Sequence, residues 1–205
     1  MPRVKIKRKS TVTDMTAMCD VAFLLLTFFI LTAKPKVPDP VPVDTPGSTV
    51  TIKQPETNIA TLVIGSGKVF FDINGSKVRA QTLEQMGSKY NLPAFTEAEK
   101  ARYANMQGVG LPMGQMKQYL DLDADQRENF KQPGIPTDSV SNELFNWIRE
   151  ARIANVALNN QELRISIKGN SKEEYPTIKK VIDILQKQKV NKFSLITSLR
   201  QAAKK

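Results

Sequence analysis

The chain of 205 residues has no histidine and a single cysteine, Cys19. Zinc sites built from His and Cys, Ser-His-Asp triads and intrachain disulfides are therefore excluded. The residues argue against an enzyme and call for no metal or cofactor. Basic patches interleaved with aromatics are missing as well, so the excess of 30 Lys and Arg over 20 Asp and Glu does not point to nucleic acid. Half of the resulting +10 charge sits in Arg3, Lys5, Lys7, Arg8 and Lys9, where no acidic residue interrupts it. The length leaves room for one membrane anchor and one folded domain of ordinary size.

Long hydrophobic runs are also scarce, and only one stretch can cross a bilayer. Residues 15–33 are apolar enough, and at about 1.5 Å per residue long enough, to span it as one helix. Asp20 is the one carboxylate inside this stretch. A charge at the centre of such a helix costs roughly 2.5–3.5 kcal/mol, so an intramembrane carboxylate faces protein or water and marks an ion or proton path. Asp20 is accordingly read as a proton-carrying site. The bland alternative places it near the headgroups, but at roughly 9 Å into the helix a short Asp cannot snorkel as Lys or Arg does.

The basic residues ahead of the helix keep the N-terminus (residues 1–14) in the cytoplasm and send everything after Ala33 across the membrane. A cleaved signal peptide would need a small residue two positions before Ala33, where Leu31 stands, so the helix is expected to remain as an anchor. A lipid-modified cysteine would follow the apolar run, whereas Cys19 lies ahead of most of it. At about 100° per residue, Thr16, Ala17, Asp20, Leu24, Thr27 and Leu31 share one stripe of the helix. Thr16 and Thr27 are candidates to support the carboxyl on a pore-facing side, although a threonine in a helix commonly spends its hydroxyl on its own backbone. Asp14 is off the stripe and directly precedes the helix, as an N-cap would.

Residues 34–57 follow as a Pro-rich spacer. Prolines at 35, 38, 40, 42 and 46 favour polyproline II, which at about 3.1 Å per residue holds a domain roughly 40 Å from the bilayer. Residues 58–205 read as the folded domain. Ala60–Ile64 and Lys68–Ile73 form a hairpin around Gly65-Ser66-Gly67, with a second turn at Asn74-Gly75 and a short helix over Gln81–Lys89. Leu163–Ile167 alternates as a strand, Pro176 opens an amphipathic helix with Ile178, Val181, Ile182 and Leu185 on its apolar face, and Phe193–Thr197 closes as a strand. The order β-β-α-β-α-β implies an α+β fold, a small α/β sandwich with helices on one face of a mixed sheet.

The stretch between Tyr90 and Asn160 is different in kind. Thr96-Glu-Ala-Glu99 is a capping box that starts a helix toward Met106, and Ser139–Ala157 forms a longer helix with Leu144, Phe145, Trp147 and Ile148 available for packing. The Gly- and Pro-rich pieces between them read as irregular. Asp121-Leu-Asp-Ala-Asp125 has the opening rhythm of a calcium loop, but Gln126 and Gln132 stand where Gly and Glu are needed, so a helix cap or solvated turn is the better reading.

The basic N-terminus, the run Asp20-Val-Ala-Phe-Leu-Leu-Leu-Thr-Phe-Phe29, the Pro-rich spacer and the small α+β domain resemble the ExbD/TolR family of energy-transducing inner-membrane proteins. Glu174–Leu185 and Phe193–Thr197 are similar to that family's closing helix and strand. Ala17 stands where the family often has Pro, an Ala-Gly near Gln188-Lys189 is missing, and the partly helical insertion at 91–160 is unlike compact members. The resemblance implies a single-pass inner-membrane subunit with a periplasmic domain, driven by the proton motive force. In it a pair of such helices sits within an ExbB/TolQ-like ring, Asp20 takes up and releases protons, and the domain passes motion to a TonB-like rod serving outer-membrane transport. It further implies a homodimer, or a heterodimer with another ExbD-like chain, and an exposed strand edge at Phe193, Leu195 and Thr197 that captures an extended partner segment. A TolR-like role in envelope maintenance, a passive anchored adaptor binding a periplasmic ligand, and a MotB-like stator are the alternatives. The last lacks a recognisable peptidoglycan-binding domain.

Overall fold

The computed structural model describes residues 15–33, 43–48, 57–138 and 140–199. The basic N-terminus with Asp14, the spacer over residues 34–42 and Ser139 lie outside these. The chain divides into two compact units, residues 1–38 and 39–205.

The first unit contributes helix α1, Met15–Thr32, long and apolar enough to cross a membrane. Its 18 residues reach about 27 Å. The helix ends as Ala33 donates its backbone N–H to the Phe29 carbonyl at 2.9 Å. Pro35 follows in the sequence, and the residue ahead of a proline is pushed out of the helical region.

The second unit is a mixed α/β domain. β2 (Ile59–Gly65) and β3 (Lys68–Ile73) form the expected antiparallel hairpin, turning through Ser66 and Gly67, both at positive φ. β4 (Arg164–Gly169) adds parallel to β2, and β5 (Phe193–Leu195) adds parallel to β4, giving the order β3-β2-β4-β5. One face of this sheet carries Ala60, Leu62, Ile64, Phe71, Ile165 and Ile167 into the core. There they join Leu83 and Met86 of α2 (Ser76–Lys89), Trp147 and Ile148 of α6 (Glu143–Asn159), and Val181 and Leu185 of α7 (Tyr175–Lys187). The α+β reading with a mixed sheet therefore holds, as does the alternation of Leu163, Ile165 and Ile167, all of them buried.

Several local expectations change. The expected turn at Asn74-Gly75 leads, with Gly75 at φ 110°, straight from β3 into α2, which begins five residues before the expected Gln81. The supposedly irregular middle contains two more helices, α4 (Met113–Asp121) and α5 (Ala124–Glu128), besides α3 (Glu97–Asn105). Met113, Met116 and Leu120 bury one face of α4, a helical spacing obscured in the sequence by Gly108, Gly110, Pro112 and Gly114. The Thr96 capping box forms as expected, with the Glu99 carboxylate accepting from the Thr96 amide at 2.6 Å. α6 starts at Glu143 after Asn142 in the left-handed region, later than the expected Ser139. Asp123 precedes α5 and its amide donates to the Gln126 side chain at 3.3 Å, the cap-like role favoured over a calcium loop.

The closing strand is the clearest difference. Phe193–Thr197 is not one strand: β5 ends at Leu195, and Ser198–Leu199 form a short β6 paired in parallel with β1, Gly47–Ser48, from the end of the Pro-rich region. The Ser171 amide also donates to the Asp44 carbonyl at 2.8 Å. The chain leading into the domain is thus fastened to its C-terminal end before β2 begins.

Candidate functional site

Every described residue of α1 is exposed within the chain except the half-buried Thr27. The helix is long and apolar enough to cross a membrane, and Asp20 is the only charged side chain between Met15 and Thr32. Thr16, one turn before Asp20, shares its side of the helix, and Thr27 lies about two turns beyond it. The Thr27 hydroxyl donates to the Leu24 carbonyl at 2.9 Å, and Thr32 does the same to Phe28 at 2.7 Å. Thr27 thereby satisfies itself locally and brings no spare donor to the carboxyl. What the helix offers is one carboxylate on an otherwise uncharged rod.

The other sequence-derived residues belong to the folded domain. Phe193 is half-buried opposite Ile165, and Leu195, opposite Ile167, is 63% exposed. Thr197 is exposed and lies past the end of β5, on the connection to β6. β5 hydrogen-bonds to β4 on one side, and no described residue pairs with its outer edge. Tyr175, at the start of α7, is 71% exposed. The edge is short, apolar and open, the local geometry that a further extended segment needs.

Comparison with known proteins turns these features into an assignment. The model of the protein family described as biopolymer transport protein ExbD/TolR matches residues 7–200, from the basic N-terminus through β6. The chain belongs to the ExbD/TolR family. No curated protein and no solved structure matches it. Membership makes this ExbD/TolR protein a transport-associated, energy-transducing subunit of a membrane complex.

Among the described residues of this ExbD/TolR protein's domain, Glu99 and Glu143 are buried carboxylates, and both are accounted for structurally. Glu99 is held below the usual carboxylate range by the Thr96 backbone hydrogen bond, which outweighs its burial. Glu143 is pushed up by burial, an effect only partly offset because it accepts the Met113 amide at 2.9 Å, and Asp138 nearby adds to it. Each fixes a helix start. Glu143 and the pair formed by Arg79 and Asp72 at 2.7 Å escape a reading of the sequence, because the groups they meet lie outside any local pattern.

Proposed function

We propose that this protein is the proton-motive-force-driven subunit of an ExbD-type complex, working with an ExbB-like ring and a TonB-like rod to energise outer-membrane transport. The observation that carries this is Asp20, the lone charge on α1, in a chain matched by the ExbD/TolR family over residues 7–200. Protonation neutralises a charge in an apolar setting and so changes which ring surfaces the helix can face at low cost. A potential of 100 mV supplies about 2.3 kcal/mol per proton charge, enough to bias such states when several protons are used. The basic residues ahead of α1 support a cytoplasmic N-terminus and a periplasmic domain.

The test is Asp20→Asn in a strain whose growth depends on energised uptake, carrying a reporter active only in the periplasm fused after Lys205. Asn keeps shape and polarity but releases no proton. Growth is expected to stop while the reporter stays active and the protein remains in its complex. Normal growth would remove the proton-carrier reading, and a silent reporter would reverse the topology.

In such a complex the open edge of β5 takes an extended segment of the rod, or β5 of a second ExbD-like chain. In a Cys19→Ser background, single cysteines at Phe193, Leu195 and Thr197 should crosslink to the rod's periplasmic segment or to a partner domain. Crosslinks confined to residues 91–160 would move the contact there.

A further inference from the structure

The two edges of the domain's sheet are treated in opposite ways. On the outer edge of β3 the Phe71 amide and the Val69, Phe71 and Ile73 carbonyls are taken up by residues of its own chain. The Phe71 amide donates to the Val109 carbonyl and the Val109 amide donates back to Phe71, each at 3.0 Å, an antiparallel bridge. One step along, the Ile135 amide donates to the Val69 carbonyl at 2.8 Å, and Arg79 Nε donates to the Ile73 carbonyl. Val109 and Ile135 come from separate stretches of the 91–160 segment, tied to each other by Gly134 N–H to the Gly110 carbonyl at 2.8 Å.

The strap is held from several sides. Gln132 accepts the Gly110 amide through Oε1 at 2.6 Å and accepts Lys68 Nζ through its carbonyl at 3.1 Å. Asp72 accepts the Gly108 amide at 3.2 Å, and Arg79 reaches the carbonyls of Ala104 and Met106 as well as Asp72. Two glycines are required by the fit. A Cβ on Gly110 would stand 2.3 Å from the Phe70 ring, and Gly134 has φ +96° with a Cβ position 3.0 Å from Lys68. A loop that merely drifted over the strand would not need such closeness.

We propose that the segment between α2 and β4 acts as an edge guard: it occupies the outer edge of β3 so that sheet pairing with another chain is confined to the β5 side. The physical reason is that an open strand edge is a template for any extended chain, and covering it with the protein's own backbone removes the template. A sheet with two open edges pairs head to tail and need not close, whereas one with a single open edge closes once that edge is filled. In a periplasmic domain tethered beside other copies, that difference separates a defined complex from an open-ended array. The guard on β3 operates whatever occupies β5.

The experiment uses the full-length protein in lipid nanodiscs, with hydrogen exchange of peptides covering residues 68–73 and 133–136 and mass photometry of the assembly. In the wild type both peptides should exchange as slowly as the β2–β4 ladder. Gly110→Val, whose side chain collides with Phe70, should speed their exchange at least tenfold, leave β4 protected, and add assemblies larger than the wild-type one. The proposal is overturned if the wild-type strap exchanges as fast as the Ser66–Gly67 turn, or if the strap opens over an intact β2–β4 ladder with no change in assembly size. Loss of β4 protection in Gly110→Val would mean general unfolding, and Arg79→Gln is then read by the same two criteria.

Discussion

In α1 every described side chain except Thr27 is exposed within the chain, while the domain hides Trp147, Phe70, Leu62, Leu83 and Met116 almost completely. The same apolar residue types serve both. In the helix these side chains are exposed within the chain, apolar identity alone gives a segment able to span a membrane, and Asp20 is the single charged departure. In the domain each apolar side chain has a specific neighbour in the same chain, so shape matters and polar departures such as Glu99 and Glu143 are fasteners. A carboxylate in one region and a carboxylate in the other therefore mean different things.

The largest stability effect should come from Trp147, which stacks on Tyr103 with ring centroids 6.0 Å apart and meets Phe71 at 6.4 Å. Trp147→Ala is expected to cost about 3–5 kcal/mol in denaturant unfolding of the domain, as large-to-small changes in a closed core do. Phe28→Ala in α1 should leave that transition where it is. A comparable loss in both variants would break the contrast between the regions.

A smaller effect is expected at the α3 cap. Thr96→Ala should cost about 1 kcal/mol, the usual size for a lost N-cap. The two buried carboxylates should move the pH profile in opposite directions. Glu99 has a lowered value in the folded state, so its contribution is present above the ordinary 4.5 and is lost as pH falls through the lowered value. Glu143 has a raised value, so stability is fullest below 4.5 and declines as pH rises through the raised value. Thermal melts across this range should show Glu99→Gln flattening the acid limb and Glu143→Gln flattening the loss above it. Identical profiles for the two variants would contradict the assigned causes.

The smallest effect should be at Thr27. Because its hydroxyl is spent on the Leu24 carbonyl, Thr27→Val is expected to leave energised growth close to that of the wild type. A large loss would show that Thr27 serves the carboxyl in the assembled complex and would narrow the gap between the two regions from the other side.

Much of this was legible in the residues because it depends on local rules. Helix α1 follows from an apolar run of sufficient length, the β2–β3 hairpin from its Ser66-Gly67 turn, the Thr96 cap from a spacing of three, and α7 from Pro176 and the period of Ile178, Val181, Ile182 and Leu185. Asp20 was visible for the same reason: a charge in an apolar run needs no neighbour to be conspicuous. Tertiary structure alone decided where Phe193–Thr197 breaks, since β6 exists only by pairing with Gly47–Ser48, about 150 residues earlier. It also decided that Gly108–Gly110, in a stretch irregular by its Gly and Pro content, lies against β3, because Val109, Gly110, Gln132 and Gly134 meet only after the chain between them has folded. Backbone groups of β3 must be satisfied by something, but which distant segment satisfies them is a matter of closure and packing that no local pattern carries.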